Sequence, residues 1–125
     1  MAQPIRVLIT DDSARARHGL RALLATLPEV EVVGEAANGQ EAVCCVVRFH
    51  PDVVLMDVQM PMMDGVEATQ LIKSRWPKIY VIVLTIYVAQ QTAALAAGAD
   101  AWVIKEGAPE RLLAALSAYS AVSEP

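Results

Sequence analysis

Val53-Val54-Leu55-Met56 is an unbroken apolar run, opened by the turn signal Pro51-Asp52 and ended by the carboxylate of Asp57. A short run of this kind predicts a strand buried on both faces, the pattern of parallel sheets. The loop beyond it is broken by Pro61 and Gly65. Open α/β sheets place their chemistry at the carboxyl ends of such strands. Taken alone, Asp57 could equally cap the next turn, so the other strands must decide.

Four more β-rich runs flank this one: Ile5 to Ile9, Val30 to Ala36, Tyr80 to Leu84 and Ala101 to Ile104. Helical spacing separates them. Leu20, Leu23, Leu24 and Leu27 follow the candidate cap Ser13 and stop at Pro28. A helix is expected from about Gln40 to Phe49, after the Asn38-Gly39 turn signal, and another from Val66 to Trp76. Ala89 to Ala97 predicts a short helix closed by Gly98. Pro109 opens the last, with Leu112, Leu113 and Leu116 as its apolar stripe. Alternation of strands and helices predicts an α/β fold with a parallel sheet covered on both faces. Residues 1–125 are expected to form one domain, with residues 121–125 as a frayed tail or the start of a linker.

Composition fits this layering. Hydrophobic residues make up 55% of the chain and aromatics 5%, which leaves packing to Ala, Val and Leu. A net charge of −4 and a pI near 5.0 argue against a nucleic-acid grip, which needs a basic face. Cys44 and Cys45, adjacent in an apolar helical stretch, read as buried thiols in a reducing compartment. There is no apolar run of membrane-spanning length and no secretory pattern at the N-terminus, so the expectation is a soluble cytoplasmic protein.

The strand ends then converge. The first delivers Asp11 and Asp12, the third Asp57, the fourth Thr85 and the fifth Lys105. Two carboxylates about 4 Å apart repel by about 4 kcal/mol at an effective dielectric near 20, so a proton or a cation must sit among three of them. An all-oxygen site suits Mg²⁺, with Mn²⁺ as the alternative. A metal, a hydroxyl and an ammonium around one carboxylate would stabilise a phosphoryl group on it. That makes Asp57 a candidate nucleophile.

In these residues the chain resembles the receiver domain of two-component response regulators. The Asp11-Asp12 pair, Asp57, Thr85 and Lys105 match the five signature positions of that family. Val32-Val33-Gly34-Glu35-Ala36, Asn38-Gly39, Met63-Asp64-Gly65 and Ala97-Gly98-Ala99-Asp100-Ala101 match the family's sequence around them. Among subfamilies it is most similar to receivers of LuxR/NarL-type regulators. The resemblance implies a flavodoxin-like (βα)5 fold with sheet order 2-1-3-4-5. It implies that Asp57 accepts a phosphoryl group from a sensor histidine kinase. Mg²⁺ would be held by Asp12, Asp57 and the Gln59 backbone carbonyl, with Asp11 acting through water. Lys105 would pair with the phosphoryl group and Thr85 would hydrogen-bond it. Thr85 and Trp102 would switch together, remodelling the fourth helix, fifth strand and fifth helix for an output domain or target protein. The output implied is transcriptional, through a helix-turn-helix domain, with a homodimer possible and no nucleic-acid or membrane contact from the receiver itself. Such a domain is no enzyme beyond assisting its own phosphoryl transfer and hydrolysis.

Four departures from the family pattern stand out. Ile86 follows Thr85 where Ala or Ser is usual, and Met62 stands where Gly or Asn is common, a strained choice if the loop needs positive φ. Thr85 to Gly98 is short by about half a helical turn, in the fourth helix or in the loop before it. Glu106 replaces the commoner Pro after Lys105. These departures keep open an atypical receiver that works without phosphorylation as an interaction or dimerisation module. Other chemistries of the fold fit worse. A flavin phosphate would be repelled by Asp11-Asp12, and an Asp-nucleophile phosphohydrolase would want a carboxylate where Gln59 stands.

Overall fold

The computed structural model describes residues 3–105, 107 and 109–123; Glu106 and the terminal Glu124 and Pro125 lie outside them. Five strands alternate with five helices: β1 (Ile5–Thr10), α1 (Ala14–Leu24), β2 (Val30–Ala36), α2 (Gly39–Phe49), β3 (Val53–Asp57), α3 (Gly65–Arg75), β4 (Tyr80–Thr85), α4 (Gln91–Ala96), β5 (Ala101–Ile104) and α5 (Pro109–Ser123). All pairings are parallel and the order is β2-β1-β3-β4-β5, the flavodoxin-like arrangement. α5 takes in Ala121 to Ser123, so this part of the expected tail is helical.

Every residue of β3 is buried, which is why its sequence shows no polar alternation. Its side chains divide between two cores. Val54 and Met56 join Leu8, Val46, Ile72, Val81 and Val83 on one face. Val53 and Leu55 join Val7, Ile9, Leu24, Ile82, Leu84 and Leu116 on the other. With both faces dry, a one-residue slip of β3 would exchange its whole inner set between the layers. The register is therefore firm: Thr10 pairs with Met56, Asp57 with Leu84, and Thr85 with Ile104.

The helices that leave the carboxyl edge are capped by the loops carrying the polar residues. Ser13 Oγ accepts from the Ala16 amide at 3.1 Å, Asn38 Oδ1 from Glu41 at 2.9 Å and Asp64 Oδ1 from Glu67 at 2.9 Å. Such caps contribute about 1 kcal/mol each. Asn38 thus serves as a helix cap as well as a turn residue. The buried-thiol expectation fails for Cys44, which is exposed; Cys45 is half-buried, and both are free.

Residues 58–64 form a loop tied at both ends. The Gly65 amide donates to the Val58 carbonyl at 2.9 Å, and the Gly39 amide to the Met63 carbonyl at 2.9 Å. A Cβ on Gly65 would collide with the Asp57 carbonyl oxygen, so only glycine lets α3 start this close to the end of β3. Inside the loop Met62 has φ +69° with its side chain 73% exposed. The residue is left-handed with no burial to offset the strain.

The shortened stretch after Thr85 resolves into both changes at once. A 3₁₀ turn over Val88–Gln90 replaces the start of the expected helix, and α4 proper has six residues.

Met62→Gly should raise stability by about 1 kcal/mol, about 3 °C in melting temperature, because only glycine adopts this φ without a side-chain clash. Gly65→Ala should lower stability by on the order of 2 kcal/mol, since backbone must move to admit the methyl group. Thermal and urea denaturation of the two variants beside the wild type checks both signs.

Candidate functional site

The register brings the polar strand ends to one edge. Asp11 and Asp12 follow β1, Asp57 ends β3, Thr85 ends β4 and Lys105 follows β5. Carboxylate oxygens of Asp11, Asp12 and Asp57 lie within 4.8 Å of one another. Asp12, Asp57, Val58, Gln59, Thr85, Ile86, Gln90 and Lys105 line a cleft of roughly 310 Å³ over this edge.

The adjacent acids differ in setting. Asp11 is fully buried, whereas Asp12 is exposed at the cleft. Asp11 Oδ1 accepts from the Ser13 amide at 2.9 Å, and Oδ2 lies 2.7 Å from Lys105 Nζ. Its backbone carbonyl accepts from Arg17 Nη1 at 2.6 Å. Arg17 and Arg21 both pair with Glu35, at 3.1 and 2.7 Å, which fastens α1 to the end of β2. Of the two arginines at the start of α1, Arg15 is exposed and Arg17 is the one that touches the acidic pair. No sequence motif marks Arg17, because a helix-face pattern cannot show that a side chain folds back onto the preceding loop.

Lys105 Nζ also lies 3.3 Å from Asp57 Oδ2. Burial alone would pull the ammonium's pKa down, but Asp11 and Asp57 outweigh it and hold it above the ordinary lysine range. Asp57 moves the opposite way to most paired acids. It is only 5% exposed, and burial, with repulsion from Asp11 and then Asp12, pushes its carboxyl from 3.8 to about 6 against the pull of Lys105. One ammonium thus cannot neutralise the cluster. The remaining negative charge and the oxygen-only donor set fit a small hard cation at the exposed side, where Asp12 faces the cleft.

Thr85 is buried, and its hydroxyl is engaged away from the carboxylates. Thr85 Oγ1 accepts from the Tyr87 amide at 3.0 Å and lies 2.5 Å from Gln90 Oε1. Gln90 is the site residue that sequence reasoning missed. It carries no charge and sits in no motif, and only the tight 3₁₀ turn brings it to Thr85. Ile86 stands at the cleft wall with half its surface exposed. Trp102 lies outside the cleft lining, half-buried on β5 against the core of the α2–α4 face, in register with Val83. His18 is exposed on α1, and His50 closes α2 in a left-handed conformation.

Known proteins share both sequence and shape with this chain. The family model of the response regulator receiver domain matches residues 7–117. The uncharacterized transcriptional regulatory protein YhcZ of Bacillus subtilis is 43% identical over 111 residues, covering 87% of this chain and 52% of that one. The response regulator protein VraR of Staphylococcus aureus is 43% identical over 103 residues, covering 81% and 49%. A LuxR-family two-component response regulator from Aurantimonas superposes with a TM-score of 0.90 at 32% identity, covering 96% of this chain and 87% of its own. The chain spans about half the length of the curated relatives it matches. Among the described residues no helix is long and apolar enough to cross a membrane. With its sheet order, its acidic edge and these matches, the chain belongs to the response regulator receiver domain family.

Proposed function

We propose that Asp57 is the phosphoacceptor of this receiver, taking its phosphoryl group from the phosphohistidine of a sensor kinase. The observation that carries this is Lys105, held between Asp11 and Asp57 at the wall of a cleft that Asp12, Gln59 and Thr85 also line. An Asp57 carboxylate oxygen attacks phosphorus, and the P–N bond breaks with its electrons leaving on the imidazole. Lys105 pairs with the transferred oxygens, and Thr85 donates to one of them once it has turned from its present partners. Asp12, Asp57 and the Gln59 carbonyl would hold Mg²⁺, or Mn²⁺ in its place, with Asp11 acting through water. That cation would supply charge neutralisation for the incoming phosphoryl group. Asp11 already spends its oxygens on Ser13 and Lys105, which supports its indirect part.

The response is read out on the face of α4, β5 and α5, with Thr85 and Trp102 as the coupled switch. The likeness to YhcZ, a transcriptional regulatory protein by name, supports a transcriptional output, here through a helix-turn-helix domain that makes the DNA contacts. A homodimer is compatible with that output, and the working compartment would be the cytoplasm. A second reading, an interaction module that needs no phosphoryl group, is favoured by the same Thr85, whose hydroxyl is turned to Gln90.

Intact mass after incubation with acetyl phosphate decides between them. One phosphoryl adduct is expected with Mg²⁺, and none with Asp57→Asn or with chelator. A folded protein that acquires no adduct and ignores beryllofluoride would establish the second reading instead.

The pH dependence of stability carries an independent sign. A folded-state pKa of about 6 against an ordinary 3.8 means that the folded protein binds more protons at Asp57. Its contribution is present below 3.8 and is lost as pH rises through 6. At pH 7 in metal-free buffer Asp57→Asn should therefore be more stable than wild type, by on the order of 2 kcal/mol. Added Mg²⁺ should narrow the gap by stabilising the wild type selectively. Thermal melts across pH, with and without the cation, measure both.

A further inference from the structure

We propose that Gln90 is a positioning residue, a latch that holds the Thr85 hydroxyl away from Asp57 and so sets the threshold at which this receiver switches. The inference rests on Asp57 being the phosphoacceptor.

A threonine hydroxyl has one proton to donate. Here two acceptors are within reach: Gln90 Oε1 at 2.5 Å and the Tyr87 carbonyl at 3.2 Å. The shorter contact takes the proton, and the hydroxyl oxygen meanwhile accepts from the Tyr87 amide. A phosphoryl oxygen on Asp57 must compete for that same proton. Thr85 therefore cannot serve the cleft and Gln90 together.

The latch also bears on the segment just beyond Thr85. Residues 86–89 are exposed, so this segment has no apolar anchor, and Gln90 is its first half-buried side chain. Ile86, Tyr87 and Val88 carry 50, 49 and 61% of their surface in solvent. Hydrogen bonds converging on Thr85 are what fasten the segment to the end of β4, together with the Gln90 amide donating to the Tyr87 carbonyl at 3.0 Å. Withdrawal of the Thr85 proton removes the side-chain part of this fastening and loosens a segment that carries three adjacent apolar side chains. In this chain the shortened loop has made Gln90 the residue that couples the cleft to that surface.

Beryllofluoride in the presence of Mg²⁺ tests this by calorimetric titration of four proteins: wild type, Gln90→Ala, Thr85→Ala and the double variant. Gln90→Met, which keeps the volume and removes the acceptor, guards against a packing effect, and circular dichroism confirms each fold. Gln90→Ala and Gln90→Met should bind about two- to tenfold more tightly than wild type, the range of one lost hydrogen bond. On the Thr85→Ala background the same change should have no effect, which a merely structural role for Gln90 would not produce. Wild-type binding that is unchanged or weakened in the Gln90 variants would overturn the latch alone, as would an equal gain without Thr85. Absence of binding in every protein would overturn the acceptor reading and the latch with it.

Discussion

The Lys105 ammonium between Asp11 and Asp57 is the contact on which the site depends. Three carboxylates meet there because buried strands end together, in the register that pairs Thr10 with Met56 and Asp57 with Leu84. The apolar sheet creates the electrostatic problem, and β5 delivers a partial remedy. Lys105 is anchored to do so by its own amide, which donates to the Thr85 carbonyl at 2.7 Å. A second cation would complete the neutralisation more favourably than further burial could. The carboxyl edge thus keeps an excess of negative charge around Asp57.

Much of this is legible in the chain. Continuous apolar runs mark β3 and β4, and the residues ending the strands mark the site, because a parallel sheet sends every strand's carboxyl end the same way. Asp11, Asp12, Asp57, Thr85 and Lys105 all fall at the common edge. The left-handed turn at Met62, a conditional strain in the sequence, is present in the fold. What escapes are contacts set by loop geometry. Arg17 reaches back to the Asp11 carbonyl, and Gln90 reaches Thr85, because of local turns that no periodicity encodes. Helix boundaries move for the same reason: Gly39 and Gly65 enter the helices that they are expected to precede, since Asn38 and Asp64 cap them from outside.

The two loops beside the cleft differ in kind. The one after β3 is held by backbone hydrogen bonds at both ends and by glycine contacts that tolerate no added atom. It positions Asp57 and Gln59 while carrying a strained Met62. The one after β4 is exposed over residues 86–89, and its side-chain hydrogen bonds converge on the Thr85 hydroxyl. The carboxylate at the end of β3 is thus followed by a tightly tethered loop, and the hydroxyl at the end of β4 by an exposed one.

Strand order has a consequence for how the polypeptide acquires its shape. β1 precedes its inner neighbour β3 by 46 residues, as the Asp52 contact to Arg6 shows. Lys105 comes only after β5, the last strand of the sheet. Until then Asp11 and Asp57 can approach only without their ammonium partner, so a nascent chain that stops at β3 gains apolar burial and meets unrelieved repulsion at one edge. The acidic edge therefore gains its ammonium partner only when the last strand docks, which ties closure of the sheet to relief of that repulsion.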